Sequence, residues 1–429
     1  LPARIEIEVP MNQFFNGCAV VAALLLFTLA CQSGLPVEER PAPQASASAA
    51  AVDDTDLKTL VADNNRFALD LYARLRQKPG NLFFSPYSIS SALAMTYAGS
   101  RNRTETEMAG AMHYSLGQER LHPAFAALGA RFETIRAKNE VEFTAANALW
   151  PHKTYQFLPE YLELNRRHYG VEITPVDYVA DAEGARRRIN DWVEGKTAGK
   201  IKDLIGPDVL DSLTRLVLTN AIYFKGSWLA QFEKDATRPM PFRLDATRTK
   251  DLPTMFRNGA YRYHADETLQ ALELPYKGDD LSMIVLLPRA VDGLAAIEKD
   301  LDADRLAGII ARLREAEVNV FLPKFSVTSQ FGLSDILQAM GMKDAFSMAA
   351  DFSGMDGTTD LLITAVIHKA FVAVDEEGTE AAAATAVVIG LKSMPMIETF
   401  RADHPFLFLI REKSTGAILF LGRVTDPAS

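Results

Sequence analysis

The side chains able to do covalent or metal chemistry are few in this chain, and they lie far apart. Its seven histidines are His113, His122, His152, His168, His264, His368 and His404, and none forms a His-Glu-x-x-His or other close ligand pair. No Gly-x-Ser-x-Gly turn is present to present a nucleophilic serine. Gly195-Lys196-Thr197 imitates the end of a phosphate loop, but the position that needs the first glycine holds Asn190, so no turn cradles a phosphate. The two cysteines, Cys18 and Cys31, both fall near the N-terminus, which leaves residues 32–429 without a thiolate ligand, a disulfide framework or a cysteine nucleophile. Asn102-Arg103-Thr104 is a glycosylation sequon by pattern alone. An enzyme, a metal site and a bound cofactor are therefore not expected. His368, in Ile367-His-Lys-Ala370 at the mouth of an apolar strand, is expected to be a hydrogen-bonded structural residue.

The chemistry that remains is conformational, and it lies between Asp375 and Ser393. Asp375-Glu-Glu-Gly-Thr-Glu380 reads as an exposed loop, whereas Thr385-Ala-Val-Val-Ile389 is β-branched and apolar like a buried strand. Between them Ala381 to Ala384 offer almost no side chain to obstruct a neighbouring backbone. Such a segment could lie outside a sheet in one state and become a strand of it in another. Glu-Ala-Ala-Ala-Ala is also a good helix former, and an acidic start suits a helix N-terminus, so a surface helix stands as the competing expectation. Phe371-Val-Ala-Val374 before the segment and Phe406 to Ile410 after it read as strands, and long connections of this kind tend to be functional or disordered.

The elements around it are those of a large mixed α and β domain. The chain has 429 residues, 48% of them hydrophobic and 23% charged, with a net charge of −10. That composition builds an ample core and argues against a nucleic-acid surface or a polybasic membrane patch. The one basic run, Arg186-Arg187-Arg188, sits in a helical pattern and is expected on a solvated face. Leu57, Leu60, Val61, Ala68, Leu71 and Leu75 share one helical face, with capping candidates from Asp53 to Thr55. Asn81-Leu-Phe-Phe84 is a short strand, and Ser85-Pro86 opens a helix to about Ala98. Leu216 to Phe224 is apolar almost throughout, the mark of a strand buried on both faces. Leu281 to Leu287 and Val318 to Leu322 are further strands, and Phe406 to Ile410 with Ala417 to Leu421 make a C-terminal hairpin.

The N-terminal part is different in kind. Ala19 to Ala30 is an apolar run too short to span a membrane and of the right length for a signal-peptide core. With Cys31 it resembles a bacterial lipoprotein signal in which Cys31 becomes the lipidated residue, although Thr28 stands where that family prefers leucine. Met11 is a candidate start, with residues 11–31 as the signal. Residues 32–55, rich in Pro, Ala and Ser, read as a tether, and residues 56–429 as a single domain. The expected location is a bacterial cell envelope or the extracellular medium.

Several blocks in this order resemble the serpins over nearly all of Asp56 to Pro427. They include Asn81-Leu-Phe-Phe-Ser-Pro-Tyr-Ser-Ile-Ser-Ser-Ala-Leu-Ala94, Ile189-Asn-Asp-Trp-Val193, Lys196-Thr-Ala-Gly-Lys-Ile201 and Asn220-Ala-Ile-Tyr-Phe-Lys-Gly-Ser-Trp228. Glu273-Leu-Pro-Tyr276, Phe321-Leu-Pro-Lys324, Asp351-Phe-Ser-Gly-Met355, His404-Pro-Phe406 and Phe420-Leu-Gly-Arg423 complete the match. The resemblance implies three β-sheets with eight or nine helices and an exposed reactive loop that baits a serine protease. The protease forms an acyl-enzyme on the loop, and the cut loop then enters the main sheet as a new strand.

The same resemblance assigns roles by residue. Glu376, Glu377, Gly378, Thr379, Glu380, Ala381, Ala382, Ala383, Ala384 and Thr385 would form the hinge, whose small side chains suit burial. A charge at Thr379 or Ala381 would resist it. The family's loop length sets the bait bond at Lys392-Ser393, which implies a trypsin-like target held covalently. Leu391 or Met394 as bait would imply a chymotrypsin- or elastase-like one. Ser85, Ser88, Asn220 and His368 would gate the sheet, Trp228 would pack where the loop enters it, and Lys324 would pair with Glu376. The expected inhibitor is a monomer without cofactor or nucleic acid, touching a membrane only through a lipid on Cys31. A serpin that is merely cleaved, or that binds without inhibiting, is the alternative.

Overall fold

The computed structural model describes residues 53–171, 173–379 and 397–428. In chain order the elements are α1 (Asp54–Leu75), β1 (Leu82–Phe84), α2 (Pro86–Tyr97), α3 (Asn102–Met112), α4 (Gln118–Ala137), β2 (Val141–Pro151), α5 (Pro159–Tyr169), α6 (Tyr178–Lys196), β3 (Leu216–Ser227), β4 (Arg238–Arg243), β5 (Thr249–Ala265), β6 (Leu269–Pro275) and β7 (Leu281–Pro288). There follow α7 (Leu294–Lys299), α8 (Ala303–Arg312), β8 (Arg314–Pro323), β9 (Phe325–Gly332), α9 (Ser334–Ala339), α10 (Ser353–Asp356), β10 (Ala365–Val374), β11 (Gly378–Thr379), β12 (Glu398–Arg401), β13 (Phe406–Glu412) and β14 (Ile418–Val424). Ten α-helical segments thus stand among the described residues against the eight or nine expected, and three of them are short.

The strands form two hydrogen-bonded networks. The larger runs β1-β14-β13-β7-β6-β5-β8-β12, with β4 on β5. Its two parts meet in β5, which pairs with β4 and β8 over most of its length and with β6 through Arg262 to Ala265. The three sheets implied by the resemblance are thus one five-stranded sheet and two ladders that β5 joins. The strand β12, parallel to β8, had no signal in a four-residue stretch of mixed polarity.

The five-stranded sheet carries several of the residues singled out above, Asn220 and His368 among them. Its centre is β3, which alternates between two cores as its apolar run requires. Leu216, Leu218, Ile222 and Phe224 enter the main core, while Val217 and Ala221 enter a second one with Ile189 and Val193 of α6. Along one edge β2 pairs antiparallel with β3 from Val141 to Pro151. On the other edge β10 pairs parallel, Ala365 opposite Val217 through Phe371 opposite Tyr223. Beneath the sheet lies α2, started by Pro86 and by Ser85, whose hydroxyl accepts the Ser88 N–H as an N-cap. On α6, Arg186 departs from the solvated face expected of its basic run. It is folded inward onto the Ile205 carbonyl at 3.0 Å while paired with Glu183, and Arg187 and Arg188 stay exposed.

Candidate functional site: the seam between two strands and the turn above it

Two groups of residues surround the boundary between β3 and β10. The first is a buried polar cluster at mid-strand. His368 is the fourth residue of β10 and has no exposed surface, so it lies inside the strand and not at its mouth. It sits directly across from Asn220 on β3. The Ser85 N–H donates to His368 Nε2 at 3.2 Å, which leaves the proton on Nδ1 to be donated to Asn220 Oδ1. The Asn220 amide donates in turn to Ser88 Oγ and to Asn147 Oδ1, both at 2.6 Å. Ser88 Oγ donates to Asn147 at 3.0 Å. Burial pulls the imidazole down to about 3, with no charged partner to oppose it, so the ring is neutral at physiological pH.

Every donor named in this cluster has an acceptor, which a polar cluster needs in a closed core. Ser85 takes part through its backbone, because its hydroxyl is committed to the Leu419 carbonyl at 2.6 Å. Asn147 on β2 is the member that sequence reasoning missed. The signal was present: an asparagine interrupts the otherwise apolar run Ala145-Ala146-Asn147-Ala148-Leu149-Trp150, where a half-buried polar side chain needs a partner.

The second group is the turn that leaves β10. The Asp375 N–H donates to the Gly378 carbonyl at 2.8 Å, closing a tight turn with Glu376 and Glu377 at its centre. The chain then runs back antiparallel to β3, Gly378 opposite Ser227 and Thr379 opposite Gly226. Gly226 already pairs with Val141 of β2 on its other side. Thus β11 lies on the edge of β3 that β10 occupies further down. Gly378 has φ +141°, and a Cβ there would collide with the Gly226 carbonyl and with Ser227 Cα, so both dihedral and space demand glycine.

The turn is held by side chains from three directions. Trp228, stacked on Tyr276 with centroids 4.7 Å apart, donates its indole N–H to the Asp375 carbonyl at 3.0 Å. The Trp228 backbone N–H and the Gln231 amide both reach the Glu377 carbonyl, and Lys234 pairs with the Glu377 carboxylate. Lys324 meets Glu376 at 2.7 Å, and Thr237 donates to the same carboxylate at 2.8 Å. Glu376 itself is buried, so this pair is better shielded than an exposed one. Burial alone would push the Glu376 carboxyl up. The hydrogen bonds from Lys324, its own backbone and Thr237, with the Lys324 charge, outweigh that and hold it below the usual range. Lys234, Thr237 and Gln231 had no signal in the sequence, because their meeting with the turn depends on where β4 and its approach fold.

A family model described as Serpin (serine protease inhibitor) matches residues 62–427. The chain belongs to the serpin family. Among relatives, human leukocyte elastase inhibitor is 42% identical over 382 residues, covering 86% of this chain and all of that protein. Human Serpin B3 is 40% identical over 393 residues with the same coverage. Among solved structures, uncleaved ovalbumin superposes with a TM-score of 0.76 at 32% identity, over 86% of this chain and all of its own. Maspin gives 0.81 at 27% identity, over 87% of this chain and all of its own.

For this serpin, then, the structure brings Ser85, Ser88, Asn220 and His368 together, and gathers Trp228, Lys324, Glu376, Glu377 and Gly378 around the turn. Thr379 is described by its backbone pairing alone. Glu380, Ala381, Ala382, Ala383, Ala384, Thr385, Lys392 and Ser393 lie outside the described residues, as does Cys31. Among the described residues no cluster of His, Cys, Asp or Glu could hold a metal ion, and no helix is long and apolar enough to cross a membrane.

Proposed function

We propose that this serpin inhibits a trypsin-like serine protease as a suicide substrate, through entry of its cut loop between β3 and β10. Inhibition of serine proteases rests on the family and on the elastase inhibitors among the relatives; the route and the target go beyond both. The observation that carries it is the pairing of Gly378 and Thr379 with the end of β3, on the edge that β10 uses below. It is the first rung of an antiparallel strand. Continued in register, Ala381 would face Phe224, Ala383 would face Ile222 and Thr385 would face Asn220 across the ladder. Thr385 would then stand between Asn220 and His368, where its hydroxyl can both donate and accept and so replace their direct bond. Insertion exchanges seven parallel residue pairs for antiparallel pairing on both sides of the new strand, and antiparallel pairs are the more stable per residue.

Lys392 as the bait residue would fill an acidic primary pocket, and this supports a trypsin-like target. A second reading has specific support: the relatives include leukocyte elastase inhibitors at 42% identity, which favours an elastase- or chymotrypsin-like target with Leu391 or Met394 as bait. Parallel incubation with trypsin, chymotrypsin and elastase, followed by denaturing electrophoresis, separates the two. The expected result is a covalent band at the summed mass with trypsin, and a released C-terminal peptide beginning at Ser393. A band only with elastase or chymotrypsin would move the target, and cleavage by all three with no band would remove inhibition altogether.

The N-terminal part adds a proposal about place. Residues 1–31 would act as a leader, Cys31 as a lipid acceptor and residues 32–55 as a tether to a bacterial envelope, with plain secretion as the alternative. The supports are the apolar run ending at Cys31 and the Pro/Ala/Ser composition after it. Mass spectrometry of the mature N-terminus tests this, since a diacylglyceryl group on Cys31 is expected and an unmodified Cys31 would exclude the anchor.

A further inference from the structure

Away from the seam, a cavity of about 790 Å³ opens between α2, α4, β2, the end of α5 and α6. That is within the roughly 300–1,000 Å³ of small-molecule sites. Ala126, Gly129 and Ala130 on one face of α4 leave it unfilled. Its walls are aromatic: Tyr87 meets Phe132 edge-on at 4.7 Å, Phe132 meets Phe143 at 5.6 Å, and Trp192 closes the α6 side. Asn147 reaches its floor, but that side chain is committed to Ser88 and Asn220, so the floor offers a ligand little polarity.

The polar groups that are uncommitted stand elsewhere around the cavity. The Tyr87 hydroxyl has no hydrogen-bond partner among the described residues. Arg167 makes no ion pair there either, and Lys196 makes none beyond lying over the Trp192 ring at 5.8 Å. Glu133, the one acid in the lining, is already paired with Arg136. The cavity therefore has an apolar body and an unneutralised cationic rim, in a protein whose net charge is −10. Negative protein charge would repel an anion from most of the surface, so two uncommitted cations beside an aromatic cleft mark a local exception.

We infer that this cavity binds a small amphipathic carboxylate, its alkyl or aryl body among Tyr87, Phe132, Phe143 and Trp192 and its carboxylate between Arg167 and Lys196. Such a ligand satisfies both requirements at once. Its apolar body leaves water for the aromatic walls, and a carboxylate matches the planar Arg167 fork.

Laurate is the probe, with dodecanol as its uncharged counterpart, titrated below the micellar range by calorimetry and by tryptophan fluorescence. The full chain is expected to bind one laurate with a change in Trp192 emission, and dodecanol at least tenfold more weakly. The double variant Arg167→Glu/Lys196→Glu should lose at least tenfold in laurate affinity and leave dodecanol binding unchanged, both positions being exposed. Ala130→Trp, also at an exposed position, should fill the cavity and abolish both. No saturable laurate binding would overturn the inference. Binding indifferent to both the charge reversal and Ala130→Trp would overturn it equally, since the ligand would then sit elsewhere.

Discussion

The β13/β14 hairpin and the β3/β10 seam both carry core residues and are held by different means. In the hairpin every residue of both strands is buried, and the pairing is antiparallel. Phe408 is wedged between Phe83 at 5.7 Å and Phe325 at 5.3 Å. Such packing has no substitute partner: if the strands part, the apolar surface meets water. At the seam the pairing is parallel, and its centre is the hydrogen-bonded set of His368, Asn220, Ser88 and Asn147. Directional bonds of this kind can be passed to a strand that arrives between the two. The comparison teaches that two parts of one core can be closed by different forces, and on the proposed route it is the one with exchangeable partners that opens.

The largest test of that contrast is to let the new strand arrive. A single cut near Lys392 should raise the thermal midpoint by on the order of 10 °C or more, because several kcal/mol of new antiparallel pairing is added. Calorimetry of cut and intact protein reads this directly, and an unchanged midpoint would mean that the seam does not accept a strand. Ala383→Arg leaves the bait bond untouched and asks the seam to take a guanidinium opposite Ile222. A penalty of several kcal/mol at that step slows insertion by orders of magnitude, since about 1.4 kcal/mol is tenfold in rate. The variant should be turned over by the protease, with little covalent complex on a gel.

Single substitutions in the two regions should differ in kind. Phe408→Ala should cost about 3–5 kcal/mol of unfolding free energy in denaturant titrations, with the folded fraction inhibiting as before. Asn220→Ala should cost less, about 1–3 kcal/mol, for the buried His368 N–H it leaves unpaired, since Ser88 and Asn147 keep their bond to each other. Its distinguishing effect should be kinetic: inhibitory activity that decays on incubation without protease, as the loosened seam takes up its own loop. If Phe408→Ala shows the same decay, the two regions are not distinct.

A last effect is in acid. His368 stays neutral in the fold down to about 3, while the unfolded chain protonates it near 6.5. In that window the unfolded state binds more protons, so stability rises with pH. The contribution is complete above about pH 6.5 and is lost as pH falls towards 3. Urea midpoints from pH 8 to pH 5 should fall, and His368→Phe should flatten that limb even though its stability at pH 8 is lower. An identical slope in the variant would exclude His368 as the acid-sensitive member.

Much of this was legible in the residues because it depended on local pattern. The run Leu216 to Phe224 announced a strand buried on both faces, and β3 divides its side chains between two cores. Ser85-Pro86 announced the start of a helix, and the Ser85 hydroxyl caps α2. The alternation of small residues after Gly378 is likewise a property of sequence alone, and from Glu380 on it lies outside the described residues. The family resemblance, spread over many blocks, brought distant positions such as Ser88, Asn220 and His368 onto one page.

What the sequence by itself determined is therefore the family and those elements whose local pattern is strong, such as α1, α2, β3 and the β13/β14 hairpin. It could not decide which polar groups close the cluster through Asn147, or that Ser85 enters it by its backbone. Nor could it show that Lys234, Gln231 and Thr237 hold the turn from a neighbouring stretch. Those contacts join residues tens to hundreds of positions apart, and their partners are chosen by strand register and approach angle. Only the tertiary structure decided that Gly378 must be glycine for lack of space beside Gly226 and Ser227, as well as for its φ of +141°. A hinge can be read from a glycine; the close approach that requires one exists only once the strands are side by side.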